Sequence, residues 1–138
     1  MSLKKFNLLF TLTLILFSSC TKSEEAKTID GNWEVTSIKE MSSFDTPPNF
    51  KINLSTLKIA GFSGCNHFFG SISTENNTLS FHGMGGTKMA CPDFTVENLF
   101  ITTIPEVKSF SFNKDLLQFR SENNEVIMTM RPIEEEQK

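Results

Sequence analysis

From Gly31 to Arg131 the chain is a succession of short runs in which apolar residues alternate with polar ones, and turn-forming residues close each run. Alternation with period two places every second side chain on one face of a strand, so this pattern prescribes sheet with a buried face. Trp33, Val35 and Ser37 share a face over residues 32–39. Phe50, Ile52 and Leu54 alternate in the next run, and Leu57 and Ile59 in a third. A strand is expected over residues 69–73, and another begins with Leu79 and Phe81. Three more are expected over 107–112, 116–120 and 126–131, carried by Phe110 with Phe112, Leu117 with Phe119, and Val126 with Met128 and Met130. Pro47 and Pro48, residues 75–77, the glycines Gly83, Gly85 and Gly86, residues 113–115 and residues 122–124 read as breaks and loops between them. Connections of hairpin length imply antiparallel neighbours, because parallel strands need a long crossover.

One segment follows the other period. Val96, Leu99, Phe100, Thr103 and Ile104 recur at i, i+3, i+4, i+7 and i+8, the stripe of an amphipathic helix. Pro92 suits a first helical position, Asp93 favours the positive end of the helix dipole, and Pro105 should end the helix. The expected fold class is therefore α+β: a mostly antiparallel curved sheet or small open barrel of about 7–8 short strands, with one amphipathic helix packed on it. No repeat of solenoid or propeller length is present.

The N-terminus has a different character. Lys4 and Lys5 precede an apolar run from Leu8 to Phe17, then Ser18, Ser19 and Cys20. The run is about half of the roughly 20 residues that a membrane span needs, which marks a secretory leader rather than an anchor helix. With a cysteine at the cleavage point, the arrangement resembles a bacterial lipoprotein signal, in which the cysteine is acylated and becomes the first mature residue. Residues 1–19 are then leader, residues 20–30 a lipid-anchored polar tether, 31–131 the domain and 132–138 an acidic tail. The acidic residues just after Cys20, Glu24 and Glu25, resemble surface-export signals of some Gram-negative lineages. The expected location is the cell envelope, lipid-anchored, at the outer membrane facing the periplasm or the cell surface.

Charge narrows the partners. The chain has 13 basic against 16 acidic residues, and Lys4 and Lys5 leave with the leader. Such a domain is a poor ligand for a phosphate backbone, so no nucleic-acid partner is expected. The chain has 14 Phe, one Trp and no Tyr. Tyr serves wet aromatic sites, so its absence argues against an exposed platform for sugars or bases and assigns the phenylalanines to the core.

Two segments carry a specific likeness. Gly64, Cys65 and Asn66 lead, one residue on, to Phe68 and then Gly70. About two dozen residues later Thr87, Met89 and Cys91 stand at alternate positions, directly before the helical stripe. These paired motifs, with Trp33 near the domain start, resemble the META/HslJ family of small envelope domains over roughly residues 30–131. The resemblance implies a compact α+β domain, often exported or lipid-anchored, loosely linked to heat shock, antibiotic tolerance or virulence. It implies no catalytic residues.

Cys65 and Cys91 match the two family cysteines. They can form a disulfide, or serve as a redox or metal pair; an oxidising compartment and the even pair left once Cys20 is acylated favour the bridge. Cys65, His67, His82 and Cys91 are ligand types that zinc favours, at a spacing unlike that of a zinc finger. Ser63 between Gly61 and Cys65 lacks the second glycine of a nucleophile elbow. Residues 83–86 lack the lysine of a phosphate loop. No cofactor is expected. The expected function is that of a non-enzymatic, lipid-anchored envelope protein that meets the membrane through Cys20 and binds a protein or apolar ligand, in an envelope-stress role. The competing expectations are a hydrolase-type enzyme using His67 as general base, and a Cys/His metal-binding module.

Overall fold

The computed structural model describes residues 26–134; Cys20, the leader and most of the tether lie outside the described residues. Eight strands follow in order: β1 (Gly31–Ile38), β2 (Asn49–Asn53), β3 (Lys58–Phe62), β4 (His67–Glu75), β5 (Thr78–Gly86), β6 (Ser109–Asn113), β7 (Leu116–Arg120) and β8 (Val126–Pro132). Helix α1 (Thr95–Thr103) and a 3₁₀ turn (Ile104–Glu106) stand between β5 and β6. Each strand pairs antiparallel with the next, and β8 returns to β1 to close a ring. The expectation of a sheet or open barrel is thus met by a ring that closes, although it is no regular barrel. The reason is one weak seam: β5 and β6 are in register only at Thr78 and Ser109.

The core is the inward face of this ring. Trp33, Val35, Phe50, Ile52, Ile59, Phe68, Ile72, Leu79, Leu117, Phe119, Met128 and Met130 fill it, joined by Phe100, Ile104 and Val107 from the helical segment. Phe50 stacks on Phe119 with centroids 5.9 Å apart, and Phe100 lies 5.0 Å from Phe68. Most of the phenylalanines after the leader are in the core or against it; Phe69 and Phe94 are exposed. Ile29, inside the stretch read as tether, is also core: its carbonyl accepts the Trp33 indole N–H at 2.9 Å. Asp30 accepts the Leu54 amide at 2.7 Å.

Five local expectations need correction. Ser37 was expected inward, but a β-bulge between Val35 and Ser37 adds one residue against β8 and turns Ile38 into the core instead. A second irregularity at Phe119 and Arg120 leaves Val126 at the surface and buries Ile127. Leu57, expected to alternate with Ile59, occupies the β2–β3 turn with φ 53° and is exposed. Gly83, Gly85 and Gly86 are not a loop: they extend β5 past a register shift opposite Phe69 and Ser71, where Gly83 takes φ 56°. The helix begins at Thr95, so Pro92 and Asp93 precede it, and Pro105 lies within the 3₁₀ turn that follows.

Candidate functional site

The two sequence motifs meet at Asn66. It follows a tight turn in which Ser63 donates both its amide, at 2.9 Å, and its hydroxyl, at 2.8 Å, to the Asn66 carbonyl. Ser63 is therefore a buried turn residue rather than a nucleophile. Gly64 stands in this turn at φ 111°, where a side chain would be strained, and a Cβ there would meet Val96 Cγ1 of α1 at 2.8 Å. The Asn66 side-chain carbonyl accepts the Thr87 hydroxyl at 2.8 Å and the Met89 amide at 2.6 Å. Its side-chain NH₂ donates to both oxygens of Glu97, at 3.2 and 3.1 Å, and its backbone amide to Glu97 Oε2 at 3.1 Å. Thr87 in turn accepts the His67 amide at 3.1 Å. One buried asparagine thus ties the β3–β4 turn, the segment after β5 and the first turn of the helix.

The disulfide repeats that tie covalently. Cys65 and Cys91 are bonded, with Cα atoms 6.1 Å apart across a separation of 26 residues. The bridge occupies both thiols, which removes them from a Cys/His metal set. His82 is elsewhere on β5, its Nε2 within 3.0 Å of the Ser73 hydroxyl and 3.1 Å of the Ser80 hydroxyl. Among the described residues no group of three or more His, Cys, Asp and Glu side chains is placed to hold a metal ion. His67 is exposed and turns the edge of its ring to Phe62, centroids 5.5 Å apart. Gly70 is covered by the Met84 sulfur on the neighbouring strand. Asp93 caps the approach to α1: the Thr95 hydroxyl first, then the Thr95 amide, hold its carboxyl below the ordinary value of 3.8.

Beside the network is a groove of about 370 Å³. One wall is the end of β5 and its continuation, from Met84 to Lys88. The other is the helical segment, through Phe100, Ile101, Ile104 and Pro105. Phe68, Asn66 and Glu97 line it as well. Its walls are mainly apolar with a few polar groups, the usual make-up of a ligand cavity, and its volume falls within the range of roughly 300–1,000 Å³. Met84 and Ile101 are exposed on opposite rims. A second concavity, larger at about 570 Å³ but more polar, lies outside the disulfide, between Phe44, Asp45, Phe62 and Pro92. Of the family-motif residues, Asn66, Thr87 and Met89 meet in this network and Gly64 shapes the adjoining turn, while Gly70 packs under Met84 outside it; Glu97 carried no expectation from sequence.

A family model described as META domain matches residues 26–133. Two solved structures share the fold. One is an NMR structure of a protein from Burkholderia xenovorans, 20% identical, with a TM-score of 0.62 over 77% of this chain and 83% of the other. The second is also an NMR structure, 19% identical, with a TM-score of 0.61 over 78% of this chain and 96% of the other. At this identity the likeness concerns the fold alone. No curated protein matches the chain.

Proposed function

The chain belongs to the META-domain family, and from that premise we propose that it is a non-enzymatic binding module, tethered to the cell envelope through a lipid on Cys20, that takes apolar groups of a ligand or protein into the groove between β5 and α1. The observation that carries this reading is the groove itself, mainly apolar and open between Met84 and Ile101. Motif residues serve as its frame: Asn66 and Thr87, with Glu97 outside the motif and the Cys65–Cys91 bridge, hold the helix at a fixed distance from β5. A rigid, preformed cavity lowers the ordering cost of binding. The chain enters the ring where β1 begins, beside the β2–β3 turn, while the groove flanks the opposite end of the strands. A lipid at Cys20 would leave that groove facing away from the bilayer, available to envelope partners under stress.

The test is titration of the full-length, detergent-solubilised protein with a fluorescent fatty-acid probe. Saturable binding is expected, with Ile101→Asp weakening it about tenfold or more because a carboxylate on the rim must be desolvated. Ile101 is 52% exposed, so the variant should keep the thermal midpoint of the parent. Equal binding by parent and variant, or turnover of an ester, peptide or glycan by the parent, would overturn the reading.

A further inference from the structure

The groove exists because β5 has a partner along one side only. On the β4 side its residues are paired up to Gly86. On the other side β6 meets it at Thr78, where Leu79 donates its amide to the Lys108 carbonyl at 3.0 Å and Phe110 donates to the Asn77 carbonyl at 2.9 Å. Both strands then run in opposite directions from that point, so β6 leaves residues 80–86 behind. The helical segment takes its place, with Ile104 and Pro105 facing Met84 and Gly85 across the groove. A helix spends its amides and carbonyls along its own axis and offers a strand no ladder. The outward backbone groups of residues 80–86 therefore have no strand beside them among the described residues, and those of Met84, Gly85 and Gly86 border the cavity.

At Met84, Gly85 and Gly86 this edge opens on the groove. Native sheets shield such edges with prolines, charged side chains or a covering element. The residues of β5 that border the groove, Met84, Gly85 and Gly86, include neither a proline nor a charged side chain. An acyl chain in the groove would satisfy Phe100, Ile101 and Ile104 but none of the strand's donors and acceptors. An extended polypeptide satisfies both: its main chain completes the ladder, and every second side chain enters the apolar space.

We propose that the groove is a strand-addition site, whose occupant is an extended segment of a partner protein, apolar at alternate positions, hydrogen-bonded along residues 84–86 of β5. The inference rests on the groove-binding reading above and names its partner. The segment would lie where β6 would have continued, between β5 and the helical wall.

The experiment selects binders to the full-length, detergent-solubilised protein from a displayed library of random short peptides. The best peptide is then resynthesised with alternate backbone amides N-methylated. Enriched sequences are expected to alternate apolar and polar residues. The bound peptide should slow amide exchange in residues 84–86, and methylation on the bonding side should weaken binding about tenfold or more by removing backbone donors. Ile101→Asp should weaken the parent peptide. If methylated and parent peptides bind equally, or only the fatty-acid probe binds, strand addition is wrong while groove binding stands. If neither peptide nor fatty acid binds, both fail. Dimerisation of the protein through β5, with no peptide enriched, would replace the partner by a second copy and also overturn the proposal.

Discussion

At the scale of single residues, the centre of this domain is Asn66. Its side chain uses its carbonyl on Thr87 and Met89 and its NH₂ on Glu97, so three segments depend on one amide group. Asn66→Ala would leave the Glu97 carboxylate buried with its side-chain donor removed and only the backbone amide of residue 66 on it, a costlier change than loss of a surface contact. We expect a loss of about 3 kcal/mol in denaturant unfolding, whereas Glu97→Gln should cost about 1 kcal/mol, since it removes the buried charge. An Asn66→Ala protein that unfolds with the parent would show that the network has no structural weight. Asn66, Thr87 and Met89 were legible through the family motif. Glu97 was not, because a carboxylate in a helix ordinarily reads as solvated. A signal was nonetheless present: Glu97, Phe100 and Ile104 follow i, i+3, i+7, which puts the acid on the apolar stripe.

At the scale of elements, strand and helix periodicity located all eight strands and the helix, and erred where the backbone departs from regular pairing. The bulge in β1 exchanged Ser37 for Ile38 in the core, and the register shift in β5 converted an expected glycine loop into strand. A bulge leaves no period-two signature of its own; its position is fixed by what the neighbouring strand presents. The connection from β5 to α1 is where the disulfide acts. It closes a loop of 26 residues and holds the segment before the helix against the β3–β4 turn. Replacing both cysteines, as Cys65→Ser with Cys91→Ser, should lower stability by about 3 kcal/mol in the chain-entropy account. It should also weaken probe binding in the groove, because one wall loses its covalent tie. Denaturant midpoints under non-reducing conditions check the first effect and fluorescent fatty-acid titration the second. Unchanged midpoints would show that hydrogen bonds at Asn66 suffice.

At the scale of the whole molecule, the ring is closed by β1 and β8, where Arg131 pairs with Glu34, and it is weakest between β5 and β6. A lipid on Cys20 is a proposal about the whole molecule, and its test is cellular. Cys20→Ala should accumulate as uncleaved precursor or appear in the soluble fraction, read by fractionation and intact mass. A variant that is still processed and membrane-bound would remove the lipid from the account and leave export to the leader alone. What the sequence by itself determined is local: alternation set the strands, hairpin-length breaks set antiparallel neighbours, a 3.6-residue stripe set the helix, and two motifs set the family. Each of these signals acts over a few residues, where sterics and burial leave one choice. What only the tertiary structure decided is non-local. Closure of the ring depends on β1 meeting β8, separated by most of the chain. The buried place of Glu97 depends on Asn66, 31 positions earlier in sequence. The groove depends on β6 leaving β5 after one paired position, and a cavity defined by a strand that is missing has no residue to announce it.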